Sequence, residues 1–272
     1  MRHLTLPSDA EIARLCNGIY AYPGYAPIAW DHFEEPKRDD GICWAIKRVG
    51  QIDAIVLRGS VTRQDWFRDL DAVADPFPST ATGIEDFLHY IGFAVEITPA
   101  RHAFLGQVHP GFLAGIEDAF VAMQPLLGPL VIVAGHSLGA GRAAILTGLM
   151  VHAGRAPLAC VTFGQPRPGF PQLAKLIADV PQRSYRNGKD VLVDIITEVP
   201  VAIGPEDYVH PCTLTDVCEK PGASWKQQWG IFAWHAMPLY LRALERLDGA
   251  LLSGPEDVAL TPDTAAPHLP IH

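Results

Sequence analysis

The chain has 272 residues, of which 49% are hydrophobic and 19% charged, and its formal net charge is −9 at pH 7. This composition is typical of a globular protein with a sizeable core, and the negative charge argues against nucleic acids and anionic membranes as partners. The longest apolar stretch, around residues 126–134, contains Gly128 and Pro129 and is too short to span a bilayer. The first eleven residues lack the apolar core of a secretory signal, so we expect a cytoplasmic location by default, with secretion by another route left open.

The predicted elements alternate between strands and helices through the middle of the chain. In chain order they are a helix over 10–20, strands over 41–49 and 52–58 joined by a turn at 50–51, a helix through 112–123, a strand over 130–134, a helix after residue 139, a strand over 159–163, a helix over 171–180, a strand over 183–186 and a helix over 235–247. This order predicts an α/β fold with a mainly parallel sheet and helices on both faces. We expect a single domain over 1–252, with an irregular excursion over 71–107 and a loose, proline-rich tail over 253–272.

The five cysteines are scattered along the chain and odd in number: they are Cys16, Cys43, Cys160, Cys212 and Cys218. That pattern favours free thiols over a disulfide framework, although Cys212 and Cys218 are close enough in sequence for a bridge to stay open. No group of His, Cys, Asp and Glu residues has a metal-binding spacing. The sequence therefore predicts neither a metal nor another cofactor.

The stretch Gly135-His136-Ser137-Leu138-Gly139 lies where a buried strand gives way to a helix. In such an elbow a serine is held in a strained conformation with its hydroxyl exposed, and glycines on either side remove side chains that would collide. The first N–H groups of the helix favour developing negative charge at the same place. The pattern predicts that Ser137 is a nucleophile and that His136 packs under the elbow.

A serine nucleophile needs a base, and the base needs an acid that orients it; in this arrangement both follow the serine in the sequence. Asp190, in the loop after the strand over 183–186, is the predicted acid, with Asp194 as its main rival. His235 is the predicted base in preference to His210, because a loop before the final helix can deliver it over the sheet.

An oxyanion hole needs two N–H donors. The N–H of Leu138 is one candidate. Ser60 is the other, because it follows the strand over 52–58 and offers both an N–H and a hydroxyl; a simple turn at Gly59-Ser60 is the alternative.

Four ordered segments resemble the class 3 lipase family of α/β-hydrolases, which includes the fungal secreted lipases, over about residues 55–240. They are Val56-Leu57-Arg58-Gly59-Ser60 with Asp65-Trp66 and Asp69-Leu70 beyond it, Val108-His109-Pro110-Gly111-Phe112, Gly135-His136-Ser137-Leu138-Gly139-Ala140-Gly141, and Thr162-Phe163-Gly164-Gln165-Pro166-Arg167-Pro168-Gly169. The resemblance implies an α/β-hydrolase fold. It also implies a cofactor-free carboxylic ester hydrolase, of the triacylglycerol lipase or carboxylesterase type, that acts on acylglycerols or other lipid esters.

The resemblance gives Ser137, Asp190 and His235 the roles of a catalytic triad that works through an acyl-enzyme, and it gives Ser60 and Leu138 the oxyanion hole. It implies further that Asp69 accepts a hydrogen bond from the Ser60 hydroxyl; a solvent-exposed charge on a helix is the alternative. In the family a short helix after the oxyanion residue acts as a lid, and its apolar face here would be Trp66, Phe67 and Leu70; the alternative is that these residues anchor a surface helix. A transient contact of the protein with a lipid interface is left open.

Two stretches depart from the family pattern: the excursion over 71–107 and the acid loop Asp190-Val191-Leu192-Val193, where the family usually has prolines. Other functions stay open, since the same constellation serves thioesterases and acyltransferases. A binding protein with a vestigial site is a further alternative.

Overall fold

The computed structural model describes residues 4–21, 24–35, 42–59, 99–189, 192–200, 207–223, 226 and 230–249. Most of the expected excursion, from 71 to 98, and the whole of the expected tail over 253–272 lie outside these ranges. The fold and the site below are those of the described residues.

The α-helices that position the site are numbered here in chain order. They are α1 (Asp9–Gly18), α2 (Pro110–Leu113), α3 (Ile116–Met123), α4 (Leu138–His152), α5 (Pro171–Leu176) and α6 (Met237–Leu247), with 3-10 helices at Gln124–Leu126, Ile195–Glu198 and Gly230–His235. Helix α1 begins at a capping box, in which the Glu11 N–H donates to Ser8 Oγ and the Ser8 N–H donates to the Glu11 carboxylate. The single helix predicted through 112–123 is divided, because Gly115 adopts a left-handed conformation with φ 72°.

One large sheet and one small hairpin contain the described strands. The strands are β1 (His32–Glu34), β2 (Trp44–Val49), β3 (Ile52–Leu57), β4 (Ala100–His102), β5 (Gly106–Val108), β6 (Val131–His136), β7 (Ala159–Phe163), β8 (Gln182–Lys189), β9 (Leu192–Val193) and β10 (Leu214–Val217). The large sheet has the order β1-β2-β3-β6-β7-β8-β10, and β4 pairs with β5 in a two-stranded sheet. Strands β3, β6, β7, β8 and β10 are mutually parallel, whereas β1 and β2 are antiparallel additions at one edge. The predicted mainly parallel sheet is confirmed.

Alternate residues of the central strands enter two separate apolar cores, as the two-residue period of a strand requires. Ile55 of β3 and Val133 of β6 pack with helices α2–α5 on one face. Ala54 and Ile132 pack with α1 and α6 on the other. Helices therefore cover both faces, as expected. All five cysteines are free thiols, which agrees with the sequence interpretation. Of the helices that the structure describes, none has the length and apolar character that a membrane crossing requires.

The carboxyl ends of the parallel strands meet at one edge of the sheet, which is where ligands bind in open α/β folds. Strands β3, β6 and β7 end there at Leu57, His136 and Phe163. Strand β8 runs on to Lys189, beyond its predicted end at residue 186, and its last residues pair with β9 in an antiparallel turn. Asp194 directly follows β9 and bonds back to Asn187 of β8.

Candidate active site

The elbow between β6 and α4 has the predicted strained geometry. Ser137 has φ 61° and ψ −130°, a region that residues with a side chain rarely adopt. The turn is tight because its glycines touch backbone: a Cβ on Gly135 would lie 2.5 Å from the Gly139 carbonyl carbon, and a Cβ on Gly139 would lie 2.7 Å from the Leu57 carbonyl carbon. The Ser137 N–H donates to Phe163 O at 3.0 Å, which ties the elbow to the neighbouring strand. The backbone therefore leaves no room for a side chain at Gly135 or Gly139.

The Ser137 side chain is enclosed rather than exposed, contrary to the sequence expectation. Only 1% of the residue is accessible, and Gly59, just after β3, packs so closely that a Cβ there would lie 2.7 Å from Ser137 Cβ. Ser137 Oγ makes no hydrogen bond to any residue that the structure describes. Catalytic hydrogen bonds are commonly loose in a free enzyme and tighten when substrate binds.

The predicted base, His235, lies beside this elbow. It is the last residue of the 3-10 helix Gly230–His235, rather than the first residue of α6 as expected, and it is 7% exposed. Its ring stacks on that of His136, the chain neighbour of Ser137, with the ring centroids 4.6 Å apart. Its Nδ1–H donates to Asp194 Oδ2 at 2.6 Å. A neutral imidazole that carries its proton on Nδ1 accepts a further proton at Nε2.

The carboxylate that contacts His235 is that of Asp194, which ranks second to Asp190 in the sequence prediction. Asp190 lies outside the described residues, whereas Asp194 is fully buried and bonded to His235. The position of Asp194 depends on β8, which continues to Lys189 and pairs with β9, so that the chain turns back and Asp194 directly follows β9. Asp194 N–H then donates to Asn187 O at 2.7 Å, which closes that turn.

Every oxygen of the Asp194 carboxylate has a described donor. Oδ1 accepts the Ile196 N–H at 3.0 Å, which caps the 3-10 helix Ile195–Glu198, and Oδ2 accepts both His235 Nδ1–H and the Tyr240 hydroxyl. A buried carboxylate is tolerated only with such partners. The acid is therefore held in one orientation before any substrate arrives.

Gly164, in the Thr162–Gly169 segment, makes room for the acid and the base. It has φ 56°, and a Cβ on it would lie 2.7 Å from both Asp194 Oδ2 and His235 Cε1. No other residue type fits there without moving the hydrogen-bonded pair. The segment singled out by the family resemblance thus borders the site.

Tyr240, on α6, bridges the acid to β8. Its hydroxyl accepts the Asn187 N–H at 3.0 Å and donates to Asp194 Oδ2. Burial, followed by the nearby Asp194 charge, raises the pKa of Tyr240 well above its usual value. The hydroxyl therefore keeps its proton and stays a donor to the carboxylate.

His136 packs under the elbow, as expected, and connects the base to the end of β3. Its Nε2 lies 2.8 Å from His235 O and its Nδ1 lies 2.8 Å from the Tyr20 hydroxyl. Burial, and then the neighbouring His235, lower the pKa of His136 well below its ordinary range, so the ring is neutral. Because a carbonyl only accepts, Nε2 carries the proton, Nδ1 accepts from Tyr20, and the Tyr20 oxygen accepts the Gly59 N–H at 2.9 Å.

His210, the rival base, is occupied elsewhere. Its Nε2–H donates to Thr197 O at 2.8 Å, which fixes the 3-10 helix that follows Asp194. Burial, as the largest cause, lowers the pKa of His210 to about 4. The structure brings His235, and not His210, to the acid.

The remaining predicted site residues are placed as follows. Leu138 begins α4, so its N–H is at the amino end of that helix beside Ser137. The second expected oxyanion donor, Ser60, lies outside the described residues, as do Asp69, the expected acceptor of its hydroxyl, and the lid residues Trp66, Phe67 and Leu70. Within the described ranges, no group of His, Cys, Asp and Glu could hold a metal ion.

Sequence reasoning missed the roles of Tyr20 and Tyr240, which fall in or next to helices and read as ordinary core aromatics. The sequence around Asp194 does carry a signal that favours it over Asp190. Asp194 is a single carboxylate inside the apolar run Val191-Leu192-Val193-Asp194-Ile195-Ile196, whereas Asp190 follows polar residues. A lone acid in an apolar run is expected to be buried, and a buried acid needs a partner.

A family model described as lipase (class 3) matches residues 54–203, which is more than half of the 272-residue chain. The match covers residues 54–57 of β3, the elbow and Asp194. It ends before His235. No curated protein matches the chain.

Solved fungal lipase structures share the fold. The Rhizomucor miehei lipase propeptide complex is 19% identical with a TM-score of 0.50, over 78% of this chain and 67% of that one. A triacylglycerol lipase described as having a serine protease triad at its catalytic centre has the same identity and TM-score, over 78% of each chain. A mutant form of MDLA from Penicillium cyclopium is 16% identical with a TM-score of 0.50, over 79% of this chain and 80% of that one. These similarities establish an α/β-hydrolase fold.

Proposed function

Because this chain belongs to the class 3 lipase family and is a carboxylic ester hydrolase that acts on lipid esters, we propose that it does so through Ser137, His235 and Asp194. The preferred substrates in this proposal are acylglycerols or related esters. Asp194 takes the role that the sequence had suggested for Asp190.

The proposed reaction begins when His235 Nε2 removes the Ser137 hydroxyl proton as Oγ attacks the ester carbonyl. Asp194 holds His235 with the Nδ1 proton toward the carboxylate and stabilises the imidazolium that forms. His235 then returns the proton to the leaving alcohol, which leaves an acyl group on Ser137. Water, activated by the same imidazole, attacks this acyl-enzyme and releases the acid.

The negative charge on the carbonyl oxygen needs donors that are already in place. The Leu138 N–H, at the start of the 15-residue helix α4, is the proposed donor on one side, where the helix dipole also favours negative charge. Ser60, next to Gly59, is proposed for the other. The Gly59 N–H itself is bonded to Tyr20, which holds the end of this strand against the elbow.

The single observation that carries the proposal is the 2.6 Å hydrogen bond between Asp194 Oδ2 and His235 Nδ1 at the strand edge that holds the strained Ser137. An imidazole bonded through Nδ1 to a buried carboxylate, next to a serine at an elbow, is the arrangement that acyl transfer requires. A binding protein has no need of it.

The direct test is Ser137→Ala, assayed with a p-nitrophenyl ester and an acylglycerol emulsion and labelled with a fluorophosphonate probe. We expect kcat to fall by about 10⁴-fold or more, no labelling of the variant, and labelling of the wild type at Ser137. Ser184→Ala, which removes another buried serine hydroxyl, is the matched control and should keep both activity and labelling. A wild-type protein that is folded but neither hydrolyses the esters nor takes up the probe would contradict the proposal and favour a binding role.

A further inference from the structure

The buried amide of Asn187, in β8, has no part in the steps proposed above, yet it joins the segments that supply the acid and the base. The residue is fully enclosed. Its Nδ2 donates to Trp234 O at 2.9 Å and to Glu219 O at 3.0 Å, and its Oδ1 accepts the Glu219 N–H at 2.9 Å. Both amide protons and the amide oxygen are therefore bonded to main chain, which fixes the joined segments relative to one another.

The main chain of Asn187 holds the acid. Its carbonyl accepts the Asp194 N–H at 2.7 Å, and its N–H donates to the Tyr240 hydroxyl, which donates in turn to Asp194 Oδ2. Asp194 is thus anchored to this one residue directly through its main-chain N–H and, at its carboxylate, through Tyr240.

The side chain of Asn187 holds the base. Trp234 O belongs to the peptide group that leads into His235, and the next carbonyl, His235 O, is bonded to His136 Nε2 at 2.8 Å. The carbonyls on both sides of the His235 Cα are therefore fixed by buried side chains. An imidazole mounted on such a main chain keeps its direction toward the acid.

We propose that Asn187 is a positioning residue for acyl transfer, which sets the distance and angle between Asp194 and His235; this rests on the function proposed for those two residues. The amide is needed for its donors. An apolar side chain would leave the Trp234 and Glu219 carbonyls without their buried partner, and an aspartate would present an acceptor to them. Substitution leaves the main-chain bonds to Asp194 in place and removes only the side-chain bonds, to Trp234 next to the base and to Glu219.

The test compares Asn187→Ala and Asn187→Ser with Ser184→Ala. Ser184 lies on the same strand and is also buried. Its hydroxyl bonds Thr162 Oγ1 at 2.7 Å and accepts from Cys212 Sγ at 3.3 Å, so its loss removes hydrogen bonds that involve neither Asp194 nor His235. For Asn187→Ala we expect kcat to fall about 10- to 100-fold with KM within about twofold, because a misplaced base weakens the transition state and not ester binding. Asn187→Ser, which keeps one hydroxyl donor, should have an intermediate kcat, and Ser184→Ala should stay within about twofold of the wild type.

A second readout does not depend on ester hydrolysis. The proton between His235 Nδ1 and Asp194 should give a far-downfield proton NMR resonance in the wild type, which Ser184→Ala keeps and Asn187→Ala broadens or loses. If Asn187→Ala does not fold, Asn187→Ser decides by the same two measurements. Loss of kcat and resonance no greater than in Ser184→Ala would overturn the positioning role, whereas a wild type without activity but with the resonance would overturn the proposed function alone.

Discussion

Two regions of the site are built on different physical principles. The elbow, Gly135–Gly139, is contiguous in sequence and is shaped by steric fit, since its glycines touch backbone and its serine has a positive φ. The acid–base corner, comprising Asn187, Asp194, His235 and Tyr240, is assembled from distant segments by buried hydrogen bonds. Substitutions in the elbow should therefore mainly lower the free energy of unfolding, whereas substitutions in the acid–base corner should mainly lower kcat.

The largest effect is expected at the elbow. Gly135→Ala and Gly139→Ala place a Cβ against backbone carbonyl groups that cannot move independently. We expect each to lower the free energy of unfolding by about 3 kcal/mol or more, or to prevent folding. Urea unfolding followed by circular dichroism measures this. Gly222→Ala, where a Cβ meets no atom of the described residues within 4 Å, should stay within about 0.5 kcal/mol of the wild type; an equally large loss there would refute a steric explanation.

Gly164→Ala tests where the two regions meet. The added methyl group would push against the bonded pair of Asp194 and His235, so we expect kcat to fall by about 100-fold. The matched control is Gly50→Ala, which has a similar positive φ of 62° in the β2–β3 turn but, among the residues that the structure describes, no atom within 4 Å of its Cβ. Both variants carry the backbone cost, of about 1 kcal/mol. Steady-state kinetics showing equal kcat values for the two would mean that the collision is harmless.

Tyr240→Phe perturbs the acid–base corner more mildly. It removes the hydroxyl that donates to Asp194 and leaves the Asn187 N–H without that partner. The expected cost is about 1–3 kcal/mol of stability and about a tenfold loss of kcat. Tyr208→Phe is the control, because the buried Tyr208 hydroxyl has no hydrogen-bond partner in the described part of the chain. Similar kinetic losses in the two variants would show that the Tyr240 hydroxyl has no special role.

The smallest effect at neutral pH is expected from His210→Gln, which we expect to keep kcat within about threefold, since His210 is not the base. Its effect on stability should depend on pH. The folded-state pKa of His210 is about 4, against 6.5 when unperturbed, so the unfolded chain takes up a proton first as the pH falls through 6.5. The wild type therefore loses stability between about pH 6.5 and 4. His210→Gln should show a shallower loss in urea titrations, by on the order of 1–3 kcal/mol at the lower end; parallel curves would contradict this.

The difference between a contiguous elbow and a corner built from distant segments also explains what could be predicted from sequence. The elbow follows from Gly135, Ser137 and Gly139 at fixed spacing after a buried strand, because steric constraints between neighbours are local. Strand β7 was predicted with its observed bounds, 159–163, since an apolar run between turns leaves little choice. The mainly parallel sheet follows from the alternation of such runs with helices.

The acid was harder to predict because its position depends on contacts between distant residues. Whether the chain after residue 186 is loop or strand is decided by pairing with β9 and by the Tyr240 hydroxyl bonded to Asn187, and neither is visible in the local pattern. Likewise, His235 is the last residue of a 3-10 helix and its carbonyl is bonded to His136, a contact across 99 residues. Local propensity predicts single helices and strands, whereas the acid–base corner depends on contacts between them.

The most direct test of the central assignment is the pair Asp194→Asn and Asp190→Asn, compared by kcat on the same ester with unfolding curves to verify both folds. Asp194→Asn should lower kcat by about 10³- to 10⁴-fold, because an amide cannot hold the imidazole in the required tautomer or stabilise its charged form. Asp190→Asn should remain within about twofold of the wild type. The reverse result, a large loss in Asp190→Asn with nearly full activity in Asp194→Asn, would contradict the account and assign the role of the acid to Asp190.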